Sequence, residues 1–97
     1  MTEINEWVLK IMRERKRHGF DTSWSNLPVK TMLVITELGR AVDAHREEDK
    51  PLVYHELTDA LVRLLDLIGS IDMNTENWLK TALDEWVTRP YKHGKQY

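Results

Sequence analysis

Pro51-Leu-Val-Tyr-His-Glu-Leu-Thr-Asp-Ala-Leu-Val-Arg-Leu-Leu-Asp-Leu-Ile-Gly-Ser-Ile71 is the stretch that decides the fold. Proline at a first helical position forfeits nothing, because the N–H it lacks has no helical partner there. No breaker follows before Gly69. On a wheel of about 100° per residue, Leu57, Leu61, Leu64, Leu65, Leu67, Ile68 and Ile71, with Val53, Ala60 and Val62, fill about two thirds of the circumference. An ordinary surface helix carries a narrower apolar stripe, roughly a third to a half. The stretch therefore predicts a central helix packed on several sides. Its polar arc holds Glu56, Asp59, Arg63 and Asp66, with His55 at the margin. Glu56 and Asp59 are three apart, so both carboxylates project from one face, which suits two oxygen ligands of a hard divalent cation. The same arc also reads as a solvated strip with an Asp59–Arg63 ion pair at i,i+4.

The whole chain bounds what that helix serves. Its 97 residues predict one domain with a single small core. Hydrophobic residues at 41% and charged residues at 31% suit a helix-rich globular protein rather than a disordered one. A net charge of −2 supplies no broad basic field for nucleic acid. The absence of cysteine excludes disulfides and thiolate metal sites and is compatible with a cytoplasmic location. The opening residues lack the pattern of a signal peptide. No apolar run approaches the roughly 20 residues of a membrane span.

Upstream, Thr2 reads as the N-cap of a helix over residues 3–17, with Ile4, Trp7, Val8, Ile11 and Met12 as its inner stripe. Lys10, Arg13, Arg15, Lys16 and Arg17 form a basic outer face, either solvated or turned in part to an anionic ligand. Gly19 supplies a left-handed C-cap. In the loop Phe20-Asp-Thr-Ser-Trp-Ser-Asn26, the two aromatics either fold onto the core or form an apolar wall for a flat ring such as a nucleobase. Asn26 and Pro28 then open a second helix over residues 27–46 with Met32, Val34, Ile35, Leu38, Ala41 and Val42 inward. Glu37 falls between Val34 and Ala41 on one flank and Leu33 and Ala44 on the other. A carboxylate so flanked is costly to bury unless paired or bound to metal. Arg40, at i+3, is the available partner.

The short turn Glu47-Glu-Asp-Lys50 predicts an antiparallel helical hairpin. Glu37 and Arg40 on one arm then stand as far from the turn as Glu56 and Asp59 on the other. Facing carboxylates on neighbouring helices recur in metal sites inside bundles. Asp72, Asn74 or Thr75 caps a last helix over residues 76–87, whose predicted inner face is Trp78, Leu79, Ala82, Leu83 and Trp86. The ending Arg89-Pro-Tyr-Lys-His-Gly-Lys95 is basic, and reads as a frayed tail or as a source of phosphate contacts.

Three segments together resemble the MazG-type, all-α nucleoside triphosphate pyrophosphohydrolases: Leu33-Val-Ile-Thr-Glu-Leu-Gly-Arg-Ala-Val-Asp-Ala-His-Arg46, His55-Glu-Leu-Thr-Asp-Ala-Leu-Val-Arg-Leu-Leu-Asp66 and the basic ending. That family carries an E-x-x-E pair on one helix and an E-x-x-D pair on the next. Glu37 matches the first acid of the first pair, and Glu56 and Asp59 match the second pair. Arg40 stands where the remaining acid is expected, and a guanidinium has no lone pair for a cation. The resemblance implies an all-α, four-helix bundle-like fold and a homodimer or homotetramer. It further implies Mg²⁺ (with Mn²⁺ as a substitute) held by Glu37, Glu56 and Asp59, and cleavage of a nucleoside triphosphate to monophosphate and pyrophosphate. Trp24, Arg40, Arg63, Arg89, Lys92 and Lys95 become the candidates for contacts to base and phosphates. Two rival readings stand beside it. Arg40 makes the chain a nucleotide-binding relative without catalysis, or the acidic strip merely faces solvent on a helical interaction module.

Overall fold

A computed structural model describes residues 3–90, which form four helices and, among those residues, no strand: α1 (Glu3–Arg17), α2 (Leu27–Arg46), α3 (Lys50–Ser70) and α4 (Thr75–Thr88). The predicted cap Thr2 and the basic residues Lys92 and Lys95 lie outside the described residues. No described helix is long and apolar enough to cross a membrane.

Each helix end is set by local chemistry. Gly19, at φ +89°, closes α1, with its N–H on Lys16 O and that of Phe20 on Arg15 O. This is the paired 5→2 and 6→1 pattern of a Schellman cap. The same pattern closes α2 and α3, but Glu48 (φ 57°) and Asp72 (φ 59°) take the left-handed position. A non-glycine residue there costs on the order of 1 kcal/mol. Asp49 then caps α3 by accepting from Leu52 N at 3.1 Å, so the hairpin turn is tight. Asn74, of the three candidates, caps α4 through Asn77 N. Asn26 precedes α2 without capping it; its side chain instead accepts from Ser23 N and donates to Asp21 O, tying the loop into a ring.

The hairpin of α2 and α3 is the body of the fold, and α1 lies against α3. Gly69 lets α1 in: a Cβ there would stand 2.8 Å from Val8 Cγ1. The sequence reading takes Gly69 as a break, whereas the helix runs through it and uses it for close approach.

What is buried departs further from expectation. The apolar core is Val8, Val34, Ala41, Ala44, Ala60, Leu65 and Leu67, and no large side chain is fully enclosed. Met32, Ile35, Leu38 and Val42 are exposed, as are Leu57, Leu61 and Leu64 on α3. The proposed inner face of α4 is also open, with Trp78 60% and Leu83 63% exposed. The reason is geometric: α4 meets α1 near its own first turn, at Asn5, and does not fold back over the hairpin. A period of 3.6 identifies which side chains share a face but not whether the same chain covers it.

Candidate metal centre

Glu37 occupies the interface side of α2, on the same stripe as Val34, Ala41 and Ala44, and is only 5% exposed. Glu56 and Asp59 approach it from α3. The three carboxylates offer ligand atoms that all lie within 4.8 Å of one another. An octahedral shell with Mg–O near 2.1 Å separates opposite ligands by about 4.2 Å. Neighbouring ligands in the same shell are about 3.0 Å apart, so the set must draw in to close on an ion.

The cluster's bonding is lopsided. Arg63 Nε donates to Glu37 Oε1 at 3.2 Å, and Arg40 Nη1 lies 3.5 Å from the same oxygen. Glu37 Oε2 and Glu56 Oε2 are buried and accept from no donor. Buried carboxylate oxygens without a proton, cation or solvent contact are costly, the more so beside a second carboxylate. One proton relieves the repulsion between the two acids, and the balance assigns it to Glu56. Its carboxyl is pushed above the ordinary value by the hydrogen bond with Glu37, by burial and by the Glu37 charge, against a smaller opposing pull from Arg40. Burial pushes Glu37 up as well, but the bond from Glu56 and the charges of Arg40 and Arg63 outweigh it, so Glu37 lies below its ordinary value. The Glu37–Glu56 hydrogen bond exists only while Glu56 holds its proton; with both ionised, the oxygens stand orphaned.

The expected Asp59–Arg63 pair does not form. Arg63 reaches across to Glu37, and Asp59 is 3.3 Å from His55 Nε2. Trp24 projects from its loop 76% exposed, and ten residues of helix separate its end of α2 from Glu37, about 15 Å along the axis. The loop's other ring, Phe20, stacks on Arg15 with the guanidinium 4.1 Å from its centroid. Arg89 pairs with Glu85 at 3.6 Å at the far end of α4.

Asp66 does not belong to this centre, although it shares the polar arc of α3. It is buried and accepts from Arg15 Nε at 3.1 Å, Thr22 Oγ1 at 2.9 Å and Ser70 Oγ at 3.3 Å. This contact clamps α1 and the Phe20–Asn26 loop to α3. Arg15 is thus taken from the basic face that sequence assigns to solvent, and nothing local in the sequence distinguishes it from Arg13 or Arg17.

No family model, curated protein or solved structure matches the chain.

Proposed function

We propose that this protein is a Mg²⁺-dependent nucleoside triphosphate pyrophosphohydrolase that cuts the α–β phosphoanhydride in a nucleotide house-cleaning role. The observation that carries the reading is the pair of buried, unpartnered oxygens, Glu37 Oε2 and Glu56 Oε2, beside Asp59. The two acidic segments noted in the sequence agree with it. Glu37, Glu56 and Asp59 hold the cation, which when bound supplies charge compensation at the phosphates and a water of lowered pKa. Water oxygen attacks the α-phosphorus, the bond to the bridging oxygen breaks, and its electron pair leaves with pyrophosphate. A carboxylate of the cluster that the cation does not fully engage suits the acceptance of the water proton. Arg40, 61% exposed, and Arg63 direct their remaining N–H groups at phosphate oxygens. The base lies along α2 toward Trp24.

The test is pyrophosphate release across a panel of canonical and modified nucleotides, with and without Mg²⁺. Mg²⁺-dependent turnover that Asp59→Ala abolishes is the expected result; folded protein inert on the whole panel refutes the enzyme. The contact between Arg40 and Glu37 favours one alternative, a binding protein that has lost turnover. It requires nucleotide to raise the melting temperature while no pyrophosphate appears.

The active form is a homo-oligomer. Ile35, Leu38 and Val42 lie about 110° round α2 from the side that meets α3, and Leu57, Leu61 and Leu64 about 100° round α3 from the side that meets α2. Because the helices run antiparallel, both displacements lead to one bare face of the hairpin. Arg40 and Asp59 point to the other. The chain exposes 7760 Å², about 2,000 Å² more than the roughly 5,800 Å² of a compact monomer of its mass. Its radius of gyration, 15.6 Å, likewise exceeds the approximately 12.5 Å of a compact domain this long. Obligate interfaces bury upwards of about 1,000 Å² per chain, so a second copy on this face would cover part of the excess and leave each metal centre open.

A further inference from the structure

The two oxygens of Glu37 keep different company. Oε1 lies beside two cations, Arg63 Nε at 3.2 Å and Arg40 Nη1 at 3.5 Å. Oε2 is buried and has no donor, in a cluster whose three carboxylates bring ligand atoms within 4.8 Å of one another. A carboxylate with a cation on each oxygen is the bridging arrangement of two-metal sites, where the ions stand about 3.5–4 Å apart. We infer that the centre binds one divalent ion per chain, on the Glu37 Oε2, Glu56 and Asp59 side, and that the Arg40 and Arg63 guanidiniums stand as fixed cations where a second ion would otherwise sit.

This rests on the metal reading above and sharpens it. Three carboxylates and two guanidiniums leave the cluster at −1. One divalent ion brings it to +1, which matches an anionic ligand. A second would bring it to +3 in a half-enclosed space and would have to displace two guanidiniums from Oε1. Arg63 is largely covered while Arg40 is 61% exposed, so Arg40 is the cation that can be exchanged without disturbing the core. Arg40→Glu takes the cluster to −3, and two ions then restore the same +1.

Mn²⁺ reports both the number and the proximity of ions. Titrated into the full chain and followed by calorimetry and electron paramagnetic resonance, the native protein binds one Mn²⁺ per chain with the six-line spectrum of an isolated ion. Arg40→Glu binds two, with the spectrum broadened by coupling between neighbours. Arg40→Lys, which keeps a cation in place, stays at one. Two coupled ions in the native protein, a second ion in Arg40→Lys, or a single ion in well-folded Arg40→Glu overturns the inference while leaving the metal site standing. No Mn²⁺ on the folded native protein overturns the metal site itself.

Discussion

Glu37 on α2 and Glu56 on α3 face each other across the hairpin, each with one buried oxygen that no donor reaches. Two buried acids so placed remain costly to the fold unless they share a proton or a cation. Several measurable consequences depend on that relationship.

The proposed metal-dependent activity should require all three acids. Glu56→Gln keeps the shape of the side chain but presents an amide where a second anionic ligand is needed. Loss of groups that merely orient ligands costs about 10–100-fold, so loss of a ligand should exceed that in Mg²⁺ affinity and in pyrophosphate release. Calorimetry and a pyrophosphate assay on Glu56→Gln check both, and retention of native Mg²⁺ affinity contradicts the assignment.

Stability without metal depends on pH through Glu56. Its folded pKa lies above the ordinary value of 4.5, so its contribution is fully present below that value and is lost as pH rises through the raised folded pKa. Glu37 is shifted downward and contributes in the opposite sense, its stabilisation disappearing as pH falls below 4.5. In EDTA, melting temperatures taken upward from pH 4.5 should therefore fall more steeply for the native protein than for Glu56→Gln. Mg²⁺ should reverse the trend, because ligands bind it only after losing their protons. Parallel curves for the two proteins in EDTA exclude the shared proton.

The two arginines on Glu37 are unequal. Arg63 is mostly covered and Arg40 mostly exposed. Removing Arg40 as Arg40→Ala should cost roughly 0–1 kcal/mol, as exposed pairs do. Arg63→Ala should cost about 2 kcal/mol or more in urea unfolding, since it strips a buried carboxylate of its nearer donor. Equal losses would show that Arg63 does not hold Glu37.

Asp66 belongs to the scaffold. It accepts from Arg15, Thr22 and Ser70 and is buried, so Asp66→Ala leaves a covered guanidinium without its anion. A loss of about 3 kcal/mol in urea unfolding is expected, with increased hydrogen exchange in the Phe20–Asn26 loop. Mg²⁺ affinity, once corrected for the unfolded fraction, should not change; a large drop would place Asp66 in the metal centre.

The bare face of the hairpin is testable by charge. Leu61→Glu puts a carboxylate at its middle, and light scattering should show the assembly shift toward monomer with a lower melting temperature. A native protein that is monomeric at micromolar concentration refutes the oligomer directly.

Much of this was already determined by the order of residues. Proline near the first turn, the Glu47–Lys50 turn and Gly19 mark out the helices to within a residue or so, because capping and backbone strain act over a few neighbours. The meeting of Glu37 with Glu56 and Asp59 was legible for a related reason: a short turn makes equal distance from it equivalent to spatial adjacency. Tertiary structure alone decided the partners. Arg63 turned to Glu37 rather than Asp59, Arg15 left its basic face for Asp66, and Gly69 served contact with Val8 instead of ending a helix. It also left Leu57, Leu61, Trp78 and Trp86 uncovered. Hydrophobic periodicity fixes the face on which a side chain lies, whereas the neighbour it meets depends on how separate helices cross, and that is settled by packing across tens of residues.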